Sequence, residues 1–328
     1  MKIDYDLVFL KSENARKRLK DLSKILRKTS QRLKYNLDVL NKEGILKDPF
    51  VVFDYSYFGL ILFKVYFKGG YVSEKDKANI IKELYQDPYI ASIYELTGEF
   101  DLALELLSPN PSKFNKELKR IITKFPTLSD YKIILNLVTH IMPRDYLAEK
   151  VNIQDFSQEK VIGGDRVPES FNNSEMIVMK SVLLNPAIRI SDLARETDLN
   201  SKTVKSILNK LEKRNIIKAY RHILNTDKID VQKFRLFLRL HNLNMDKETR
   251  LINFLRQSKE VVQVNKTVGD WDLEIDAESF DKVKIRKLII SLREEYKEII
   301  EHFNLIEFHT YYKRAYLPFY LFKDDGKS

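Results

Sequence analysis

Apolar positions recur along this chain with two periods, and the order in which those periods follow one another is repeated. Met176, Ile177, Met179, Val182 and Leu183 form one helical stripe. A short helix is predicted from about Ile190 to Glu196. A third opens on Asn200 as its cap and carries Val204, Ile207, Leu208 and Leu211 at the 3.6-residue period. Thr29 holds the same cap place before Leu33, Leu37 and Leu40, and Gly44 and Asn215 end the two capped helices. Two short, closely spaced helices, the second capped by a small polar residue, make the helix-turn-helix pattern.

Beyond each such unit the pattern reads β-α-β-β-α-β. In the first half, strands are predicted near 61–68, 89–97, 100–107 and 130–141, with helices near 74–86 and 110–124. In the second half, strands fall near 233–242, 260–268, 271–277 and 302–312, with helices near 246–258 and 278–297. This is the ferredoxin-like order, an antiparallel sheet with two helices on one face.

The two halves align at an offset of 171 residues. Asp21-Leu22 meets Asp192-Leu193, Ile45-Leu46-Lys47 meets Ile216-Ile217-Lys218, and Gly98-Glu99-Phe100-Asp101-Leu102 meets Gly269-Asp270-Trp271-Asp272-Leu273. A repeat this long is a duplicated two-domain unit. The fold class expected is α+β, with two winged helix-turn-helix domains alternating with two ferredoxin-like domains. The boundaries expected are 1–50 and 51–147, a polar linker at 148–172, then 173–221 and 222–318, with a tail at 319–328.

Charge sharpens this picture. The net charge is +10, of which residues 1–48 carry +6 and residues 173–218 carry +4. Two basic modules on a neutral body point to two sites for a polyanion. With no cysteine in the chain, disulfides, thiolate metal sites and cysteine nucleophiles are excluded. His140, His222, His241, His302 and His309 are scattered without ligand spacing, so no metal or cofactor is expected. The sequence has no Walker loop, GxGxxG or GxSxG signature, and its longest apolar run, Tyr57 to Phe67, is too short for a membrane helix. A cytoplasmic protein without membrane contact is expected.

The run DLARETDLNSKTVKSILNKLEKRNIIKAY (192–220) resembles the winged-helix reader of Lrp/AsnC, or feast/famine, transcriptional regulators. The run DLSKILRKTSQRLKYNLDVLNKEGILK (21–47) is a looser match. The units carrying TGEFDL (97–102) and VGDWDL (268–273) resemble that family's RAM domain, which is similar to ACT domains. Arg27 and Asp198 stand where the family usually has glycine in the turn.

The resemblance implies DNA recognition. Ser201, Lys202, Thr203, Lys205 and Ser206 lie at the start and on the polar face of the second recognition helix. Ser30, Gln31, Arg32, Lys34 and Tyr35 hold the matching places in the first. Such helices enter the major groove by their N-termini, where Arg and Lys pair with guanine, Gln with adenine, and Ser or Thr with several groups. Arg16 to Lys34 holds nine basic residues and one acid. Of these, Arg16, Lys17, Arg18, Lys20, Lys24, Arg27 and Lys28 are assigned to phosphates, which position without reading sequence. The two recognition helices differ at nearly every exposed place, so an operator with unlike halves is expected.

Gly98 and Gly269 admit two readings. One is a tight hairpin turn, in which glycine supplies positive φ and Asp101 or Asp272 accepts backbone donors. In the other, which the resemblance implies, these turns lie beside an effector cleft, and Glu99, Asp101, Asp270 and Asp272 receive the α-ammonium of an amino-acid-like effector. The halves are expected to pair within one chain as a pseudo-dimer, with further homo-oligomers open. Two alternatives to a DNA-binding regulator remain at this level. One is a siroheme-type tetrapyrrole decarboxylase on the same architecture, and the other a weakly specific architectural DNA binder.

Overall fold

The structure, a computed structural model, describes residues 3–69, 73–152, 158–242 and 244–322. The first reader comprises α1 (Tyr5–Glu13), α2 (Leu19–Leu26) and α3 (Ser30–Lys42), followed by strand β1 (Leu46–Phe53). The first ferredoxin-like unit runs β2 (Ile61–Phe67), α4 (Glu74–Gln86), β3 (Ile90–Thr97), β4 (Leu102–Ser108), α5 (Pro111–Lys124) and β5 (Tyr131–Ile141). A short strand β6 (Lys160–Gly163) lies within the stretch expected to be a linker, of which residues 153–157 fall outside the described residues. Residues 323–328 of the expected tail also fall outside them.

The second reader comprises α6 (Asn173–Leu184), α7 (Ile190–Thr197), α8 (Ser201–Lys213) and strand β7 (Ile217–Leu224). Then follow β8 (Gln232–Leu240), α9 (Met245–Gln257), β9 (Val261–Val268), β10 (Leu273–Ser279), α10 (Lys282–Glu295) and β11 (Ile300–Lys313). Every helix and strand expected in the ferredoxin-like units is present, with ends displaced by a few residues.

The caps and stops behave as their chemistry requires. Thr29 accepts from the Arg32 N–H at 3.3 Å, and Asn200 from the Thr203 N–H at 2.8 Å. Arg27 and Asp198 take left-handed conformations at φ 52° and 54°, so each turn closes without glycine.

The readers do not each carry a complete wing. β1 and β7 pair with each other, antiparallel, and Phe50 faces Arg221. These two residues are repeat counterparts, so a pseudo-two-fold axis passes through the ladder's centre. The flanking bonds obey the same symmetry: Asp54 N–H donates to Ile216 O and Asn225 N–H to Ile45 O, both at 2.9 Å. The helix α1 packs against β7, and the first reader's core takes in Leu224, Ile229 and Val231 from the other half.

The ferredoxin-like sheets fuse likewise. β5 pairs with β2 through residues 131–136 and with β9 through 135–141. Its counterpart β11 pairs with β8 and then with β3. Each last strand thus belongs to both units, and the ring β2-β4-β3-β11-β8-β10-β9-β5 closes on itself. The helices cover its outside. Ile80, Leu84, Phe114 and Leu118 bury one sheet, and Leu251, Leu255, Ile285 and Leu288 the other.

The enclosed face is partly ionic. Arg235, fully buried, holds Asp276 with two hydrogen bonds of 2.6 and 2.8 Å. Its remaining Nη1 donates to Tyr66 Oη and Tyr94 Oη of the first half, each at 2.7 Å. Lys64, the repeat counterpart of Arg235, pairs with Glu274, which also accepts from Tyr66 at 2.8 Å. Buried charges persist only when paired and hydrogen-bonded; here the Lys64–Glu274 pair and the Arg235 bonds to Tyr66 and Tyr94 cross between the halves, while Arg235–Asp276 lies within the second. The pseudo-dimer is therefore intramolecular and locked through its interior.

Candidate nucleic-acid interface

The two recognition helices present different polar faces to solvent. On α3, Ser30, Gln31, Arg32, Lys34 and Tyr35 are exposed, while Leu33 and Leu40 are buried. Tyr35 is 65% exposed. On α8, Ser201, Lys202, Lys205 and Ser206 are exposed, and Val204, Leu208 and Leu211 are buried. Thr203 is half-buried. Of these places only the serine at the helix start and one lysine, Lys34 or Lys205, are shared by the two helices.

The residues assigned to phosphates separate into two groups. Arg18, Lys20, Lys24 and Arg27 are exposed around α2 and its turn. The others face inward. Lys28 pairs with Asp4, the residue capping α1, and ties the turn to the first helix. Arg16 donates to Ile188 O of the second reader at 3.2 Å, and its guanidinium lies 4.7 Å from the centre of the Tyr220 ring. Arg16 thus joins the readers to one another. Lys17 is half-buried on the wall of a cleft between them.

Two cations absent from the sequence reading complete the surface. Arg189, the N-cap of α7, and Arg195 on that helix are exposed and stand at the repeat places of Arg18 and Lys24. The 171-residue offset would have identified both, but the sparser charge of the second reader concealed them.

The two glycine turns, far apart in sequence, meet. Gly98 and Gly269 have φ of 133° and 144°, and each packs against the other half's last strand, at Ile306 and Ile134. Asp272 accepts from the Leu240 N–H at 2.7 Å, and Asp101 from the Gly69 N–H. Glu99 and Asp270 converge on one ammonium group. Lys132 Nζ lies 3.2 Å from Glu99 and 3.0 Å from Asp270, and 5.8 Å from the ring centres of both Phe100 and Trp271. Lys68 and Asn304 add to Glu99 at 3.0 and 2.6 Å. Burial acts to raise the Glu99 pKa, but Lys68 and Lys132 prevail and lower it.

The histidines are held locally. His140 contacts Glu159 at 2.7 Å, His222 the Lys47 carbonyl at 2.8 Å, and His309 Thr97 at 2.6 Å. Among the described residues, no helix is long and apolar enough to cross a membrane.

Comparison with known proteins places this geometry. The winged helix-turn-helix DNA-binding family matches residues 177–218. An uncharacterized HTH-type transcriptional regulator of Pyrococcus horikoshii is 30% identical over 124 residues, covering 38% of this chain and 80% of the relative. The HTH-type transcriptional regulator FL11 of the same organism is 25% identical over 143 residues, covering 42% of this chain and 89% of FL11. Over almost the whole length, the fold is similar to the crystal structure of the siroheme decarboxylase NirDL, with a TM-score of 0.58 over 96% of this chain and 93% of that one, at 13% identity. At that identity the likeness is one of fold. With the reader matched, a 30% identical regulator covered over four-fifths of its length, and RAM-like units closing the ring, the chain belongs to the Lrp/AsnC family of HTH-type transcriptional regulators.

Proposed function

We propose that the chain is a sequence-specific DNA-binding transcriptional regulator whose operator has two unlike halves. The observation carrying this reading is the pair of capped, solvent-facing recognition helices arranged about one pseudo-two-fold axis. Gln31, Arg32 and Tyr35 of α3, and Lys202, Lys205 and Ser206 of α8, contact base edges. Arg18, Lys20, Lys24, Arg27, Arg189 and Arg195 contact phosphates. Residues 1–50 and 173–221 act as readers and the two ferredoxin-like units as an assembly and sensing body. The protein acts in the cytoplasm and performs no catalysis of its own. The HTH-type regulators among its relatives support this reading, and so does the placing of its histidines on separate local partners.

Any amino-acid-like effector acts at the paired turns by displacing Lys132. The carboxylates that would receive its α-ammonium already hold that side chain, and Trp271 reports on the place. Lys132→Ala is expected to make Trp271 fluorescence respond to an amino acid at concentrations that leave the wild type unchanged. A panel of the common amino acids without effect on either protein would remove the effector from this site.

The DNA reading is tested by comparing binding to the preferred site with binding to unrelated DNA. Substituting Arg32 or Lys202 with alanine is expected to cost about 1–3 kcal/mol on the preferred site and little on unrelated DNA. Equal losses on both would reduce the protein to a nonspecific binder.

A further inference from the structure

A cleft of about 650 Å³ lies between the end of α1, the wing strand β7 and the short strand β6. Its charged wall is made by Glu13, Lys17, Lys160, Arg166, Lys218 and Arg221, with Glu159 and Glu212 at the margins. Five of these groups are cations and three are carboxylates.

Most of the negative charge is already committed. Glu13 is shared by Arg144 and Arg221, and Glu159 by His140 and Arg256. Asp54, buried behind the wall, serves Arg166 at 3.2 Å and Lys218 at 3.5 Å. Two of the cations have donors left over. The Lys160 ammonium makes no hydrogen bond or ion pair among the described residues. Arg221 is only 4% exposed, and its Nε has no hydrogen-bond partner among them. A buried unmatched donor is costly, and a buried guanidinium more so.

We propose that this cleft binds a small anion carrying a phosphate group, held by Lys160 and Arg221 with Lys17, Arg166 and Lys218 around it. Burial lowers the pKa of Lys160, Lys218 and Arg221. An incoming anion supplies the missing acceptor. A phosphate of bound DNA does not suit the site. The recognition helix α8 reaches the cleft through Glu212, in its last turn, whereas such helices approach DNA by their N-terminal ends. The occupant is thus a free small molecule. It touches the first reader, the second reader's wing and the connection between the halves together.

The test is calorimetric titration of the full chain, without DNA and at fixed ionic strength, with inorganic phosphate and separately with pyrophosphate. Wild-type protein is expected to bind at least one of them saturably, with Kd below about 1 mM. Lys160→Gln is expected to weaken binding at least about tenfold, and Lys160→Arg to retain it. Because the Lys160 ammonium makes no hydrogen bond or ion pair among the described residues, the thermal midpoint of either variant without anion should stay close to the wild type, which keeps misfolding apart from loss of the site. Absence of saturable binding to the wild type, or equal binding by Lys160→Gln, overturns the proposal. Neither result bears on DNA recognition, since no DNA is present.

Discussion

Arg16 and Arg18 stand two positions apart in the same basic run, yet the fold sends one inward and leaves the other in water. Substituting Arg18 or Lys24 with alanine should weaken DNA binding evenly across sequences and lower the salt slope by about one each. Arg16→Ala should instead lower thermal stability by about 1 kcal/mol, since it removes a bond to Ile188 and a cation–ring contact with Tyr220. Charge counting alone cannot distinguish the two, because the partner of Arg16 lies 172 residues away. The recognition faces were more legible, since a capped helix with a buried stripe fixes which residues point outward. The partners of Lys28 and Lys132 were not legible, since each contact depends on tertiary closure. Two carboxyl groups set opposite pH effects. Burial, with Glu13 nearby, raises Asp145 to about 6 from 3.8. The folded state therefore holds the extra proton between those values, and this contribution to stability is lost as pH rises through about 6. Arg144 and Lys233 overcome burial at Glu278 and lower it from 4.5 to about 2, so its contribution is lost as pH falls below 4.5. Thermal unfolding from pH 3 to 8 should show Asp145→Asn flattening the upper limb alone.

Among the elements, the ferredoxin-like helices and strands were legible because each carries its own periodicity. β1, β6 and β7 were not. β1 contains Pro49 and a register shift beside it, features that argue against a strand when read locally. β6 has four residues in a polar stretch and exists through its pairing with β5. Gly163 makes that pairing possible. Its φ is +84°, and a Cβ there would lie 2.6 Å from the Leu137 carbonyl oxygen. Gly163→Ala should cost about 1–3 kcal/mol, read by chemical denaturation. The ionic interior joins the elements of the two halves. Arg235→Ala strands Asp276 in the ring and should cost about 3–5 kcal/mol. Arg235→Met combined with Asp276→Leu should recover much of that loss, since neither charge of this pair is then left buried without the other.

Viewed as a whole, the molecule is a duplicated unit folded about an internal axis, and the repeat had already announced the duplication. What the repeat did not announce is how thoroughly the copies interpenetrate: wing strand on wing strand, each last strand in both sheets, each reader leaning on the other half. Fusion frees the two readers to differ, and they do so at most of their exposed places. A homodimer of identical units would match a palindrome, whereas this pseudo-dimer is suited to a directional site. The most direct test is to sequence the genomic fragments that the purified protein retains at near-physiological salt, with an Arg32→Ala/Lys202→Ala variant alongside. A recurrent two-part motif with unlike halves, absent from the variant's fragments, is the expected result. Uniform retention across sequences, or no retention at all, would contradict the assignment of this chain as a sequence-specific regulator.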